Sequence, residues 1–434
     1  MNKQTEKMNT KYRNLLFIPA LTACLGLVLL GAVAAPKTFG VVPPPVGAYP
    51  GLNTAEGQNA LLSLTTGQAN TAVGWFSLKS NTEGSFNTAL GAGTLLFSTG
   101  FENTATGAGA LLSNTTGSQN TVSGAFALFS NTSGSLNTAN GDLALFSNTT
   151  GFQNAAIGDQ ALYSNTTGGD NTATGHAALF SNATGSDNTA NGSGTLYGNT
   201  EGHSNTATGA DALNGNTTGI ENSAIGVAAL ASNTTGSFNT ATGVQALVIN
   251  SIGNDNTATG HWALLNNTGD NNTAIGSQAL LSNTTGGLNT ANGLSALYSN
   301  LSGDSNTAVG DFALYSNSSG SGNVALGAGA GYNATTGIGN VYIGQGMNGV
   351  AGESNATYIS GIYDQAIDPD SFFMGVDINH KLGTHAASGP GVRIKDVVED
   401  HKKIVKLEAT VAALTTQLKE QATRIEQMNV ALKQ

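Results

Sequence analysis

Apolar positions across residues 53–345 follow neither a helical period nor simple alternation. They return every 17 residues. The stretch NTATGHAALFSNATGSD (171–187) holds one leucine and a few alanines among Asn, Thr, Ser and Gly, and its neighbours repeat that cadence. Counting from the asparagine that opens each phrase gives eighteen copies, from Asn53 to Asn340. Their consensus is N-T-A-x-G-x-x-A-L-x-S-N-T-T-G-x-x. Two steps have 16 residues, 87 to 103 and 256 to 272, and the others have 17. A fixed short period predicts a solenoid and outranks local propensity. Helix is disfavoured, because each phrase carries two glycines and several Asn and Thr.

Each place in the phrase has a physical reading. Leucine fills the ninth place in sixteen consecutive copies, Leu61 to Leu314, and alanine dominates the third and eighth. One Leu and two Ala per turn make a narrow apolar stripe, enough for a thin β-roll and too little for a globule. Glycine at the fifth and fifteenth places predicts two corners per turn, of left-handed or sterically tight backbone. Short strands are expected between those corners. The opening asparagine predicts a ladder, in which amides stacked about 4.8 Å apart bond along the rod. Asn103, Asn120, Asn137, Asn171, Asn188, Asn205 and Asn239 are its representative rungs.

Two places vary. The fourth alternates between Thr or Asn and apolar residues such as Val73, Ile157, Ile225, Ile275 and Val309. The tenth is often aromatic: Phe129, Phe146, Tyr163, Phe180, Tyr197, Tyr298 and Tyr315. A thin roll cannot bury both sets, so they form a subunit interface or an exposed binding stripe. The fourth place fits an interface better, and the tenth stays open between the two.

Outside the repeats the pattern changes four times. Residues 1–34 read as a secretory signal: Lys3, Lys7, Lys11 and Arg13, an apolar run from Leu15 to Gly31, then Ala32-Val33-Ala34 as a small-x-small cleavage site. The rival reading is an uncleaved membrane anchor. Residues 35–52 are a proline-rich linker, and 346–395 a connector without the period. Residues 396–434 carry heptads, with Val397, Ile404, Val411, Leu418, Ile425 and Leu432 on one core position. Leu407, Leu414, Gln421 and Met428 fall on the other, predicting a coiled coil.

Composition narrows the function. The chain of 434 residues has 9% charged residues and a net charge of −11, which becomes about −14 once the basic signal is removed. An acidic chain is a poor partner for nucleic acid. Cys24 is the only cysteine, so no internal disulfide forms. The preceding Leu21-Thr22-Ala23 makes Cys24 a lipidation candidate, although the apolar run continues past it to Leu30. A membrane partner is expected only through a lipidated Cys24 or an uncleaved signal. No nucleophile–base pair, zinc spacing or phosphate loop occurs, so no enzyme, metal or cofactor is expected. The repeated N-T-T matches a glycosylation sequon, which the period alone explains.

Phrases such as NTAVG (70–74), NNTAIG (271–276), NVALGAGAG (323–331) and NVYIG (340–344) resemble the head repeats of trimeric autotransporter adhesins, the YadA-like family. That resemblance covers 53 to about 345. It implies a left-handed parallel β-roll, trimerised along its axis, with a coiled-coil stalk. It further implies an adhesive projection at the bacterial surface that binds extracellular matrix or a cell-surface ligand. The family's C-terminal membrane barrel has no counterpart after the heptads. The segment HKLGTHAAS (380–388) looks like the stretch before the self-cleaving serine of tail-spike chaperone domains, with Ser388 at most a relic. The resulting expectation is an exported, non-enzymatic, self-associating adhesin-like fibre. The alternatives are a purely structural spike and an ice-binding solenoid, the latter opposed by Val73, Leu90 and Ile157 in what should be a uniform threonine face.

Overall fold

The computed structural model describes residues 51–360, 374–376, 382–384 and 394–431. The signal segment, Cys24, most of the proline-rich linker, Ser388 and Leu432 lie outside the described residues. The chain divides into two units at Ile359–Ser360.

The first unit is a parallel β-solenoid. Each turn supplies one three-residue strand, from β1 (Thr54–Glu56) through β8 (Thr172–Thr174) to β19 (Thr357–Ile359). Consecutive strands pair in parallel without a slip, for instance Ala155, Ala156 and Ile157 against Thr172, Ala173 and Thr174. At about 4.8 Å per strand the rod is roughly 85 Å long. Both 16-residue turns keep the register, Leu90 facing Thr106 and Thr259 facing Ile275. Each drops the fourteenth place, in the Thr-Thr turn, where no strand is disturbed.

The core is the stripe expected from the period. Ala173, Ala178 and Leu179 of one turn are fully buried, and the same three places are buried along the rod. In β8 the third-place alanine points inward while its flanking residues face out. The remainder of the turn differs from the expectation of several strands. Across the eighth to eleventh places the backbone still bonds to the next turn, as from Leu179 N to Thr195 O at 2.9 Å and Ser181 N to Tyr197 O at 3.0 Å. Left-handed residues interrupt it, however. Ala177 and Leu179 both have a φ of 53°, and Asp187 closes the turn at 59°.

A left-handed leucine costs about 1–2 kcal/mol. Burying its side chain returns about 1.5–3 kcal/mol, and its N–H finds a carbonyl in the next turn. The gain outweighs the cost by a narrow margin, so the strained ninth place persists because it is buried and bonded.

The two glycines prove to be different devices. Gly175, at the fifth place, has a φ of 132°, open only to glycine. Gly185, at the fifteenth, is not left-handed. A Cβ there would collide with the carbonyl oxygen of Gly202 in the next turn. The expectation of two corner glycines is therefore corrected at the fifteenth place, where the requirement is close approach between turns.

The rod also extends past residue 345. β18 (Val341–Ile343) pairs with β19, in which Ala356 replaces the opening asparagine while Tyr358 faces inward. In the second unit β20 (Met374–Val376) pairs antiparallel with β21 (Leu382–Thr384). Helix α1 runs from Ile394 to Ala431. Its 38 residues give a length of about 57 Å.

Gly185→Ala should lower stability by about 1–3 kcal/mol through overpacking, read as the urea midpoint of the far-ultraviolet circular dichroism signal. Leu288→Ala, at an exposed position, should stay within about 0.5 kcal/mol of the parent.

Candidate functional site

The asparagine ladder forms as the spacing predicted. Asn171 donates its backbone N–H and its Nδ2 to Oδ1 of Asn154, both at 3.1 Å. Nδ2 also donates to the Gly185 carbonyl at 2.8 Å. Asn171 Oδ1 in turn accepts both donors of Asn188. Every polar atom of this buried amide is bonded. Asn103, Asn120, Asn137, Asn188, Asn205 and Asn239 repeat the pattern. These residues hold the rod together and have no surface for a ligand.

A second ladder, at the twelfth place, is one that sequence reasoning misses. Asn182 Nδ2 donates to Oδ1 of Asn165 at 2.8 Å and to the same Gly185 carbonyl at 2.9 Å. The two ladders thus converge on one oxygen per turn. The signal is present in the sequence, because the twelfth-place asparagine is nearly as constant as the one that opens the phrase. The N-T-T triplet it begins reads as a sequon instead. Because Asn182 and its equivalents are buried, the folded rod does not offer them for glycosylation. The ladder ends at Asn317, whose Oδ1 has no partner because Ala334 occupies the next rung.

Shallower columns reinforce these. Thr166 Oγ1 donates to the Ala183 carbonyl, and Ser186 Oγ accepts from Gly169 N, each one turn apart. Aspartates take over the latter duty, Asp304 Oδ1 accepting from Gly287 N at 2.7 Å.

The tenth-place aromatics are brought together. Phe129, Phe146, Tyr163, Phe180 and Tyr197 stack in sequence, with centroids 5.0–5.2 Å apart and rings within 7° of parallel. Tyr298, Tyr315 and Tyr332 form a second stack. Asn214, Ala231, Val248, Leu265 and Leu281 occupy the place between them. The predicted stripe is half-buried rather than open. Within each stack the ring faces are turned to one another along the rod. That geometry suits edge contacts and hydrogen bonds, and it removes the faces that a stacking ligand would need.

Burial raises the phenol pKa of Tyr163 and Tyr197 above the ordinary 10.0. On a nearby column, His176 Nε2 lies 3.6 Å from Asp159 Oδ2, with both side chains largely in solvent. Burial, then the charge of Asp159, raises the Asp142 carboxyl. An exposed pair of this kind contributes little. Among the described residues no group of three or more His, Cys, Asp or Glu could hold a metal ion.

The fourth-place residues face outward. Ile157, Ile225 and Ile275 are exposed, each flanked by polar residues in the adjoining strands. Threonine fills the second place in every strand from β1 to β16 (Thr307–Val309) except at Ala155 and Ser223. The mixed fourth place beside it leaves no uniform threonine face.

No protein-family model matches the chain, and no curated protein matches it closely enough to count as a relative.

Asn171→Ala strips an acceptor from two buried donors of Asn188 and should cost about 1–3 kcal/mol; Thr172→Ala, on the outer face, serves as the near-neutral control in the same urea titration. The tyrosines give a pH test. A raised folded-state pKa means that the stabilisation is complete below the unfolded value of 10.0 and is lost as pH rises through the folded one. Tyr163→Phe/Tyr197→Phe should flatten the loss of urea midpoint above pH 10 relative to the parent.

Proposed function

We propose that the chain is an exported, non-enzymatic, self-associating fibre of the adhesin type, a repeat rod that projects from a bacterial surface and attaches it to extracellular matrix or another cell. The observation that carries this reading is the seam of α1. Ile404, Leu407, Val411, Leu414, Leu418 and Ile425 are all more than half exposed. They fall on the two core positions of one heptad pattern. A helix holding six large apolar side chains exposed along one seam has strong reason to pair with copies of itself.

The rod supports the same reading. Its interior is a repeated structural pattern of Ala, Leu and bonded Asn, and its varied residues lie outside. Such a body supplies length and rigidity and leaves recognition to the surface columns. The three-chain assembly and left-handed winding rest on the resemblance to YadA-like heads. No helix among the described residues is long and apolar enough to cross a membrane. Attachment to a bilayer is assigned to Cys24 or to an uncleaved signal segment.

Light scattering of the purified chain should give a mass about three times that of one chain, and Leu407→Asp/Leu414→Asp should reduce it to the monomer. A monomer mass for the parent would sink the fibre reading. Adhesion of producing cells to collagen- or laminin-coated surfaces should disappear when the repeats are deleted; unchanged adhesion would leave a structural spike. Cys24→Ala should release the protein into the medium if lipidation anchors it.

A further inference from the structure

We infer that Asn348 is a site of spontaneous covalent modification, where the side-chain amide is lost through attack by the neighbouring backbone nitrogen. We further infer that the fold confines this chemistry to one Asn-Gly pair. The sequence holds five such pairs: Asn140-Gly141, Asn191-Gly192, Asn214-Gly215, Asn292-Gly293 and Asn348-Gly349. Glycine after asparagine hinders ring closure least, because it has no Cβ. The glycine nitrogen attacks Cγ of the asparagine and gives up its proton as ammonia leaves, closing a five-membered succinimide. Water then adds at one of the two ring carbonyls. The ring opens to aspartate or to isoaspartate, in which the main chain runs through Cβ.

Four of the five pairs are locked. Gly141 N–H donates to the Ser123 carbonyl, Gly192 to Thr174, Gly215 to Ala231 and Gly293 to Ile275, each at 2.8 Å. Asn140, Asn191 and Asn292 also end strands β6 (Thr138–Asn140), β9 (Thr189–Asn191) and β15 (Thr290–Asn292), which are paired on both sides. Attack there first requires local opening, so that the nitrogen leaves its carbonyl and turns toward Cγ. Exposure does not separate the sites, since Asn140, Asn191, Asn292 and Asn348 are all exposed. What sets Asn348 apart is the Gly349 N–H, which has no acceptor among the described residues. The pair lies between β18 and β19, outside any strand. The chain is held on one side at Met347, whose carbonyl accepts from Gly331 N, and on the other at Val350, whose carbonyl accepts from Glu353 N. Gly349 also packs on the ring of Tyr342, and a Cβ there would lie 2.6 Å from Cε1. The isoaspartyl product adds a carbon to the main chain at this contact, and either product places a carboxylate where an amide stood. Each rod thus carries one slow, irreversible change beside Tyr342, while the Asn-Gly pairs along its length are preserved.

The test incubates the full-length chain in mildly alkaline buffer, folded and in parallel unfolded in urea. Peptide mapping by mass spectrometry and isoaspartate-specific methylation follow all five sites. In the folded chain Asn348 should convert about tenfold faster than Asn140, Asn191, Asn214 or Asn292, the factor expected from one backbone hydrogen bond that must open. In urea the five should convert at similar rates. Asn348→Gln should abolish the early release of ammonia from the folded chain. Conversion at Asn140 as fast as at Asn348 in the folded chain would overturn the confinement. A preference for Asn348 that persists undiminished in urea would trace it to local sequence and overturn the role of the fold. An Asn348 that stays intact in the folded chain while the urea sample converts would overturn the site itself.

Discussion

Each turn of the rod has to present its backbone N–H and C=O groups to the turns on either side, at the spacing of a parallel strand pair. A strand meets that demand for only three residues in 17, and unpaired polar backbone inside a protein is expensive. Irregular backbone bonds between turns and side-chain bonds together answer for the rest. Asn171 and Asn182 donate to the same Gly185 carbonyl, Thr166 and Ser186 bond across one turn, and the left-handed Leu179 turns its N–H toward Thr195. Glycine at 175 and 185 follows from the same demand, because the turns approach so closely that a Cβ would strike the neighbouring carbonyl. The uniform phrase is thus the set of residues that lets irregular backbone stack on itself.

Much of this was legible from the period. Asn171 as a rung and Ala173, Ala178 and Leu179 as core followed from their recurrence, since a place that repeats without variation must face its own copies. Other features were hidden because different requirements select the same residue. Gly175 and Gly185 look alike in sequence, and both are selected by contact across turns, but only Gly175 is selected by its dihedral angle as well. A left-handed leucine leaves no trace at all, because its propensity argues against the conformation that burial enforces. β19 escaped notice when Ala356 replaced the asparagine, although Thr357-Tyr358-Ile359 keeps the alternation of outward and inward places. For the surface, the sequence showed which columns vary, while the stacking that turns the aromatic faces inward along the rod required the register.

The end of the rod nearer β19 shows how the repeat is brought to a close. Gly331 replaces the ninth-place leucine, and the space it leaves receives the ring of Tyr342, which takes the place of a core alanine. Tyr342 stacks on Tyr358 at 5.6 Å, and the Tyr358 hydroxyl donates to Glu353. Small and large residues have exchanged places, so the narrow stripe widens at the last turns among the described residues. Ala334 closes the second asparagine ladder in the same region. Termination is written here as the loss of repeat residues one at a time, with bulk added as amide rungs are withdrawn.

Because every rung is bonded only to its immediate neighbours, the rod has no preferred length. A duplication or deletion of one whole phrase in the coding sequence would add or remove a rung and leave each remaining contact as it was. The two 16-residue turns show that even a single-residue loss is absorbed when it falls at the fourteenth place. Chains that differ by whole phrases would therefore differ in rod length in increments of one strand spacing, with the contacts at either end unchanged.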